Sequence, residues 1–207
     1  MMNTLALRIV VLPFMVLALT FHEYAHAFVA HRLGDPTAKY SGRLTLNPLA
    51  HIDWLGLMAL LLVGFGWARP VPVDPSRFRN PPVHMAIVAA AGPVSNLLLA
   101  ILGVILYRIS VPIAPWAIPA IDTFVWLNVL LAVFNMIPLP PLDGWRVLQG
   151  FNPSLYWNFE LEHKLQYVLL GLILLSILLP AFDILGAIIF PISKAIYGTL
   201  MAMVGLL

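Results

Sequence analysis

Apolar residues fall into six stretches, roughly 4 to 33, 54 to 67, 84 to 108, 116 to 138, 164 to 180 and 184 to 205, and short connections carry most of the charge. A bilayer core of about 30 Å needs about 20 helical residues. Four stretches reach or approach that length, and 164 to 180 lies at the short end. The segment 54 to 67 ("WLGLMALLLVGFGW") is too short to span unaided and is predicted to re-enter or to pack inside. The connection "GDPTAKYSGRLTLNPL" opens with Gly34 and Asp35-Pro36, which end a helix, and then sets Tyr40, Leu44 and Leu46 among small polar residues. It predicts a short strand or hairpin. The segment 68 to 82 ("ARPVPVDPSRFRNPP") is too proline-rich for helix and reads as an ordered loop at the membrane surface.

Composition turns these stretches into a membrane protein. Hydrophobic residues make up 61% and charged residues 10%, against about 25% charged in soluble domains, and the mean hydropathy is +0.94. The pattern predicts an all-α polytopic membrane protein with about five transmembrane helices, a short re-entrant segment and a small membrane-associated β-strand or hairpin. No repeat or second domain is visible, so 1–207 reads as one domain in the lipid bilayer. The net charge is +2 and the eleven Lys and Arg are dispersed, which leaves no footprint for nucleic acid. The absence of cysteine excludes disulfides, thiolate zinc sites and cysteine nucleophiles.

The basic residues set an orientation. Lys39 and Arg43 follow Arg32; Arg69, Arg77 and Arg79 share the proline-rich loop; Arg146 and Lys164 follow the fourth stretch. The positive-inside rule puts all these connections in the cytosol and leaves Arg8 and Arg108 outside. The first helix then runs inward, and both flanks of 54 to 67 lie on one face. The first stretch is long and shows no small-residue cleavage pattern, so it is expected to be retained in a multi-pass protein of the cell membrane.

Within that first stretch, "LALTFHEYAHAFVA" carries His22, Glu23 and His26. An unpartnered ionisable group in a span costs at least about 2.5 kcal/mol, so three together call for a common partner. His22 and His26 stand one turn apart on one helix face, where two imidazoles can share a cation, and Glu23 lies about 100° round the helix beside them. In a zinc hydrolase the imidazoles ligate and the carboxylate takes a proton from the water at the metal. The alternative is a chance HExxH whose histidines bond to neighbouring groups.

A catalytic zinc site wants a third protein ligand. Asp35, Asp53, Asp122 and Asp183 sit at segment ends as turn or cap residues, Asp74 lies in the proline loop, and Glu160 and Glu162 flank a span. Asp143 differs. In "FNMIPLPPLDGWRV" an apolar span carries Asn135, then Pro138, Pro140 and Pro141 hold the chain extended before Gly144. Asp143 is either a helix cap for "GWRVLQG" or the missing ligand.

These residues resemble the site-2 proteases, intramembrane zinc metalloproteases that cut transmembrane or membrane-proximal peptides. "HEYAH" matches their HExxH, "AGPVSNLLLA" (91 to 100) their GPxxN helix, and "NMIPLPPLDG" (135 to 144) their NxxPxPxLDG signature. "RLGDPTAKYSGRLTLNPLAHID" and "GFGWARPVPV" are similar to the compact prokaryotic branch, without the PDZ or CBS modules or the preceding helix of larger members. The resemblance implies one zinc per chain held by His22, His26 and Asp143, Glu23 as general base, and Asn135 binding substrate or steadying the oxyanion. It also implies a catalytic core of about 1–150 with additional helices over 160–207, and a transmembrane protein or peptide as substrate. The alternative is a non-proteolytic membrane zinc-binding protein, a transporter or sensor, which has no need of Glu23.

Gly92, Pro93 and Asn96 read as helix-packing residues. His31, His51, His84 and His163 lie near segment ends and read as interfacial.

Overall fold

A computed structural model describes residues 4–203 and 205. The described chain is built of helices: α1 (Thr4–Arg32), α2 (Thr37–Tyr40), α3 (Trp54–Val63), α4 (Pro81–Ile113), α5 (Ile118–Asn135), α6 (Asp143–Phe151), α7 (Pro153–Tyr156), α8 (Phe159–Leu178) and α9 (Ile184–Met203). Five of them, α1, α4, α5, α8 and α9, are long and apolar enough to cross a membrane. Leu98, Ile109, Tyr167 and Leu178 on their outer faces are exposed, as a surface solvated by lipid requires.

The three helices α1, α4 and α5 approach closely because small side chains face one another. Ala18, Ala27 and Ala30 of α1 and Ala100 of α4 are fully buried. A Cβ on Gly103 of α4 would lie 2.6 Å from Val125 Cγ2 of α5. Helix α9 runs antiparallel to α5. Its first half contributes Leu185 and Ile189 to a cluster with Phe134 and Ile137 at the end of α5. Its second half places Met201 with Val125 and Val129, and the Tyr197 hydroxyl donates to Asp122 near the start of α5.

The segment 54 to 67 turns back on itself. Asp53 caps α3 by accepting from the Gly56 amide at 2.8 Å, and Gly64 ends it with φ 84°, a left-handed conformation that suits glycine. Arg8 donates from Nη1 to the carbonyls of Leu61 and Leu62, at 2.9 and 2.7 Å, which satisfies the free carbonyl end of α3 and complements its dipole. Ile52 then pairs with Ala68 in an isolated antiparallel bridge, and the Arg69 amide donates to the His51 carbonyl at 2.9 Å. Both ends of the segment therefore lie side by side.

The expected strand or hairpin in "YSGRLTL" is not formed; among the described residues that stretch contains no strand. Its polar backbone groups are spent on turns. Tyr40 belongs to α2, Gly42 takes φ 67°, and the Arg43 amide donates to Ala38 at 2.8 Å. Asn47 then caps a short turn by accepting from the Leu49 amide at 3.1 Å. The alternation reflects the inward aim of Arg43, which is buried and donates to the Arg69 carbonyl, rather than the two faces of a sheet.

The link from α5 to α6 folds back sharply. A Cβ on Gly144 would lie 2.3 Å from the Met136 carbonyl oxygen, so only glycine lets the start of α6 sit against the end of α5. Helix α6 also lies on the start of α4, where Gly150 faces Ala86. It is tied to α8 by Arg146 and Glu162 at 2.8 Å and by the fully buried Gln149.

Candidate metal centre

His22 and His26 lie one turn apart on α1, and α6 brings Asp143 to both. Each of the three offers a ligand atom, and the three atoms lie within 4.8 Å of one another. His22 Nε2 stands 3.2 Å and His26 Nε2 3.4 Å from Asp143 Oδ2, and the two Nε2 atoms are 3.0 Å apart. Asn135, eight residues earlier, is not drawn into this group. Its Nδ2 donates to the Leu131 carbonyl of its own helix at 3.0 Å.

The outer nitrogens of both rings fix what the inner ones can do. His26 Nδ1 meets the Val88 carbonyl at 2.8 Å, an acceptor, so that nitrogen carries the proton. His22 Nδ1 meets Asn96 Oδ1 at 2.7 Å. The Asn96 amide is oriented in turn, because its Nδ2 donates to the Ala18 carbonyl at 3.2 Å and to Asn128 Oδ1 at 3.0 Å. Asn128 Nδ2 completes the chain on the Phe124 carbonyl at 2.9 Å. With Nδ1 as the proton-bearing nitrogen of each ring, the Nε2 atoms are left as the candidate ligating atoms, facing each other and a carboxylate. Three convergent lone pairs repel unless a cation sits among them, which is the arrangement a metal ligand set with oriented outer partners requires.

The backbone of α4 makes room for this cluster. A Cβ on Gly92 would fall 2.5 Å from His26 Nε2 and 2.6 Å from His22 Nε2, so the glycine leaves open the space beside both ligand atoms. Pro93 has no amide to give to the Ala89 carbonyl, so the ladder of α4 is broken beside the turn that presents Val88. Asp143 Oδ2 is buried and has no hydrogen-bond donor.

Glu23 is buried on the neighbouring face of α1. Its Oε2 accepts the Val71 amide at 3.0 Å. Val71 stands in Pro70-Val71-Pro72, part of an extended run that the bond from Arg69 to His51 and the bond from Arg43 to Arg69 pin beside α1. An apolar cavity of about 480 Å³ adjoins this region; Leu19 and Thr20, one turn before Glu23, line it together with Leu60, Trp67, Leu131 and Phe134. Val71, Gly92 and Asn128 were not expected at the site, and Asn96 was expected only to pack. Asn128 left a signal, a polar residue in the middle of an apolar span. His51 and His84 are part of the folded interior, His51 bonding to the Thr45 carbonyl at 2.8 Å and His84 stacking edge-on with Phe78, away from the cluster.

No protein-family model matches the chain, and no solved structure matches it. Curated relatives do. The "Putative zinc metalloprotease YwhC" of Bacillus subtilis (strain 168) is 44% identical over 154 residues, which cover 69% of this chain and 70% of that protein. The "Putative zinc metalloprotease Rip2" of Mycolicibacterium smegmatis is 33% identical over 73% of this chain and 64% of its own length. The "Putative zinc metalloprotease MJ0611" of Methanocaldococcus jannaschii is 32% identical over 66% of each.

Proposed function

Since the chain belongs to the site-2 protease family, we propose that it is an intramembrane zinc endopeptidase acting on a transmembrane or membrane-proximal peptide. The observation that carries this reading is the convergence of His22 Nε2, His26 Nε2 and Asp143 Oδ2 beside Gly92, with Glu23 next along α1. His22, His26 and Asp143 would hold one Zn2+. When bound, the ion would lower the pKa of its water toward about 7 and polarise the scissile carbonyl.

Glu23 takes the proton of the attacking water and delivers it to the leaving amine. The Val71 amide fixes one of its oxygens; the other accepts no hydrogen bond among the described residues and is the one that moves the proton. Asn135 keeps Oδ1 and one Nδ2 hydrogen for the substrate backbone. The apolar cavity within a turn of Glu23 receives side chains of the substrate's membrane segment. The site end faces the cytosol of a cell membrane, in keeping with the basic residues of the connections that surround it.

The test is zinc analysis beside cleavage of a model membrane peptide. Glu23→Gln is expected to keep zinc and to lose turnover by about 10² or more, the scale of general-base catalysis. Asp143→Asn is expected to lower zinc affinity by about tenfold or more, while Asp53→Asn and Asp122→Asn keep full occupancy. Wild-type turnover in Glu23→Gln would sink the mechanism, and stoichiometric zinc in both Asp143→Asn and Asp143→Ala would remove Asp143 from the ligand set.

A further inference from the structure

Lys194 stands in the middle of α9, ten residues after Ile184 and nine before Met203. At 1.5 Å per residue that is about 15 Å from one end of the helix and about 14 Å from the other. Lysines near helix ends escape the hydrocarbon by reaching for the interface; this one is more than two turns from either end. Antiparallel packing on α5 agrees with a mid-membrane depth, because Tyr197, one turn further along α9, reaches Asp122 a turn into α5.

Lys194 is exposed, and no ion pair or hydrogen bond among the described residues involves its ammonium. The chain has nine Asp and Glu side chains, and all are described. The nearest in depth, Asp122, about a turn closer to the helix end, is taken by the Tyr197 hydroxyl. The others are at caps, in the candidate metal centre or in connecting segments, each with a partner of its own. A second copy of the chain would bring the same engaged set and no free carboxylate at this depth. The side chains around Lys194 are those of a helix contact. Ala187 and Pro191, seven and three residues before it, are exposed, and Gly198, four after it, is half-buried; small residues of this kind let a second helix approach closely.

We propose that this face of α9 is a docking surface for a transmembrane helix of another protein that carries an aspartate or glutamate at mid-depth. Lys194 supplies the charge-assisted hydrogen bond, and the small residues supply the close backbone approach. The face is independent of the metal centre, so its role does not depend on the proposed proteolysis.

The test uses the full-length protein in phosphatidylcholine vesicles at pH 8, labelled through a single cysteine at Met203, which is 78% exposed, and no native cysteine competes. The probes are two leucine-rich helices of about 20 residues, one with glutamate at its centre and one with glutamine, titrated by energy transfer. The glutamate helix is expected to bind about threefold or more tightly than the glutamine helix, the scale of polar contacts between membrane helices. That preference should vanish in Lys194→Met and persist in Lys194→Arg. Equal binding of the two helices to the wild type would overturn the proposal without any variant, and a glutamate preference that survives in Lys194→Met or Lys194→Gln would place the partner's acid elsewhere.

Discussion

Val71 donates its amide to Glu23 Oε2 across 3.0 Å, and it is the one amide that Pro70-Val71-Pro72 has to give. The flanking prolines fix the local backbone and have no N–H of their own. A loop that would otherwise offer several competing donors therefore offers one, aimed at the proposed base. Val71→Pro removes that donor and keeps a polyproline conformation that Pro70 tolerates. A hydrogen bond to a charged group contributes about 1.5–3 kcal/mol, so kcat is expected to fall about tenfold or more with KM and zinc content unchanged. Val71→Ala keeps the amide and should restore most of the loss. A proline variant with wild-type kcat would mean that Glu23 is oriented by other means.

Asn96 holds His22 in one tautomer and is itself held by Ala18 and Asn128. Leucine at 96 fills similar space but leaves His22 Nδ1 without an acceptor, and loss of such outer partners typically costs about 10- to 100-fold in metal affinity. Asn96→Asp keeps the acceptor and is expected to retain zinc better than Asn96→Leu. Competition with a chelator of known affinity measures both, and equal affinity in the leucine variant and the wild type would show that His22 needs no such partner.

His22, Glu23 and His26 were legible in the sequence because their spacing is local: one helix turn sets it, whatever the rest of the chain does. Asp143 was legible as an acid in an unusual place, but its approach to α1 depends on Gly144 and on the packing of α6 against α4, which no local pattern reveals. Gly92 and Val71 act through tertiary contact alone. The glycine is needed because α1 and α4 meet at that residue, and Val71 acts through a backbone group that its side chain does not advertise. The strand expected in "YSGRLTL" failed for a related reason. Alternation predicts two faces, but one buried arginine reaching a carbonyl 26 residues away produces the same pattern.

The return of the segment 54 to 67 to its starting point gives a test of orientation. Ile52 and Ala68 are bridged, so the connections before and after this segment are expected on one side, which the positive-inside rule predicts to be the cytosol. Ser41 and Ser76 are exposed in these two connections. Cysteine at either position, in a chain that otherwise has none, should react with an impermeant thiol reagent only when the cytosolic side is accessible. Labelling of the two from opposite sides would make 54 to 67 a true crossing.

Gly92 gives the most direct test of where the metal lies. Alanine at this position would add a Cβ 2.5 Å from His26 Nε2 and from His22 Cε1, closer than any real contact. The rings cannot retreat together without giving up the Val88 carbonyl or Asn96, which hold their far sides. The helix itself has no objection, since alanine is a better helix former than glycine by about 0.5–1 kcal/mol. Gly92→Ala is therefore expected to keep its helical content by circular dichroism while zinc affinity falls about tenfold or more and peptide cleavage is lost with it. Loss of zinc with intact helicity separates occlusion of the ligand atoms from general misfolding. If Gly92→Ala binds zinc as the wild type does, the metal is not held between His22, His26 and Asp143.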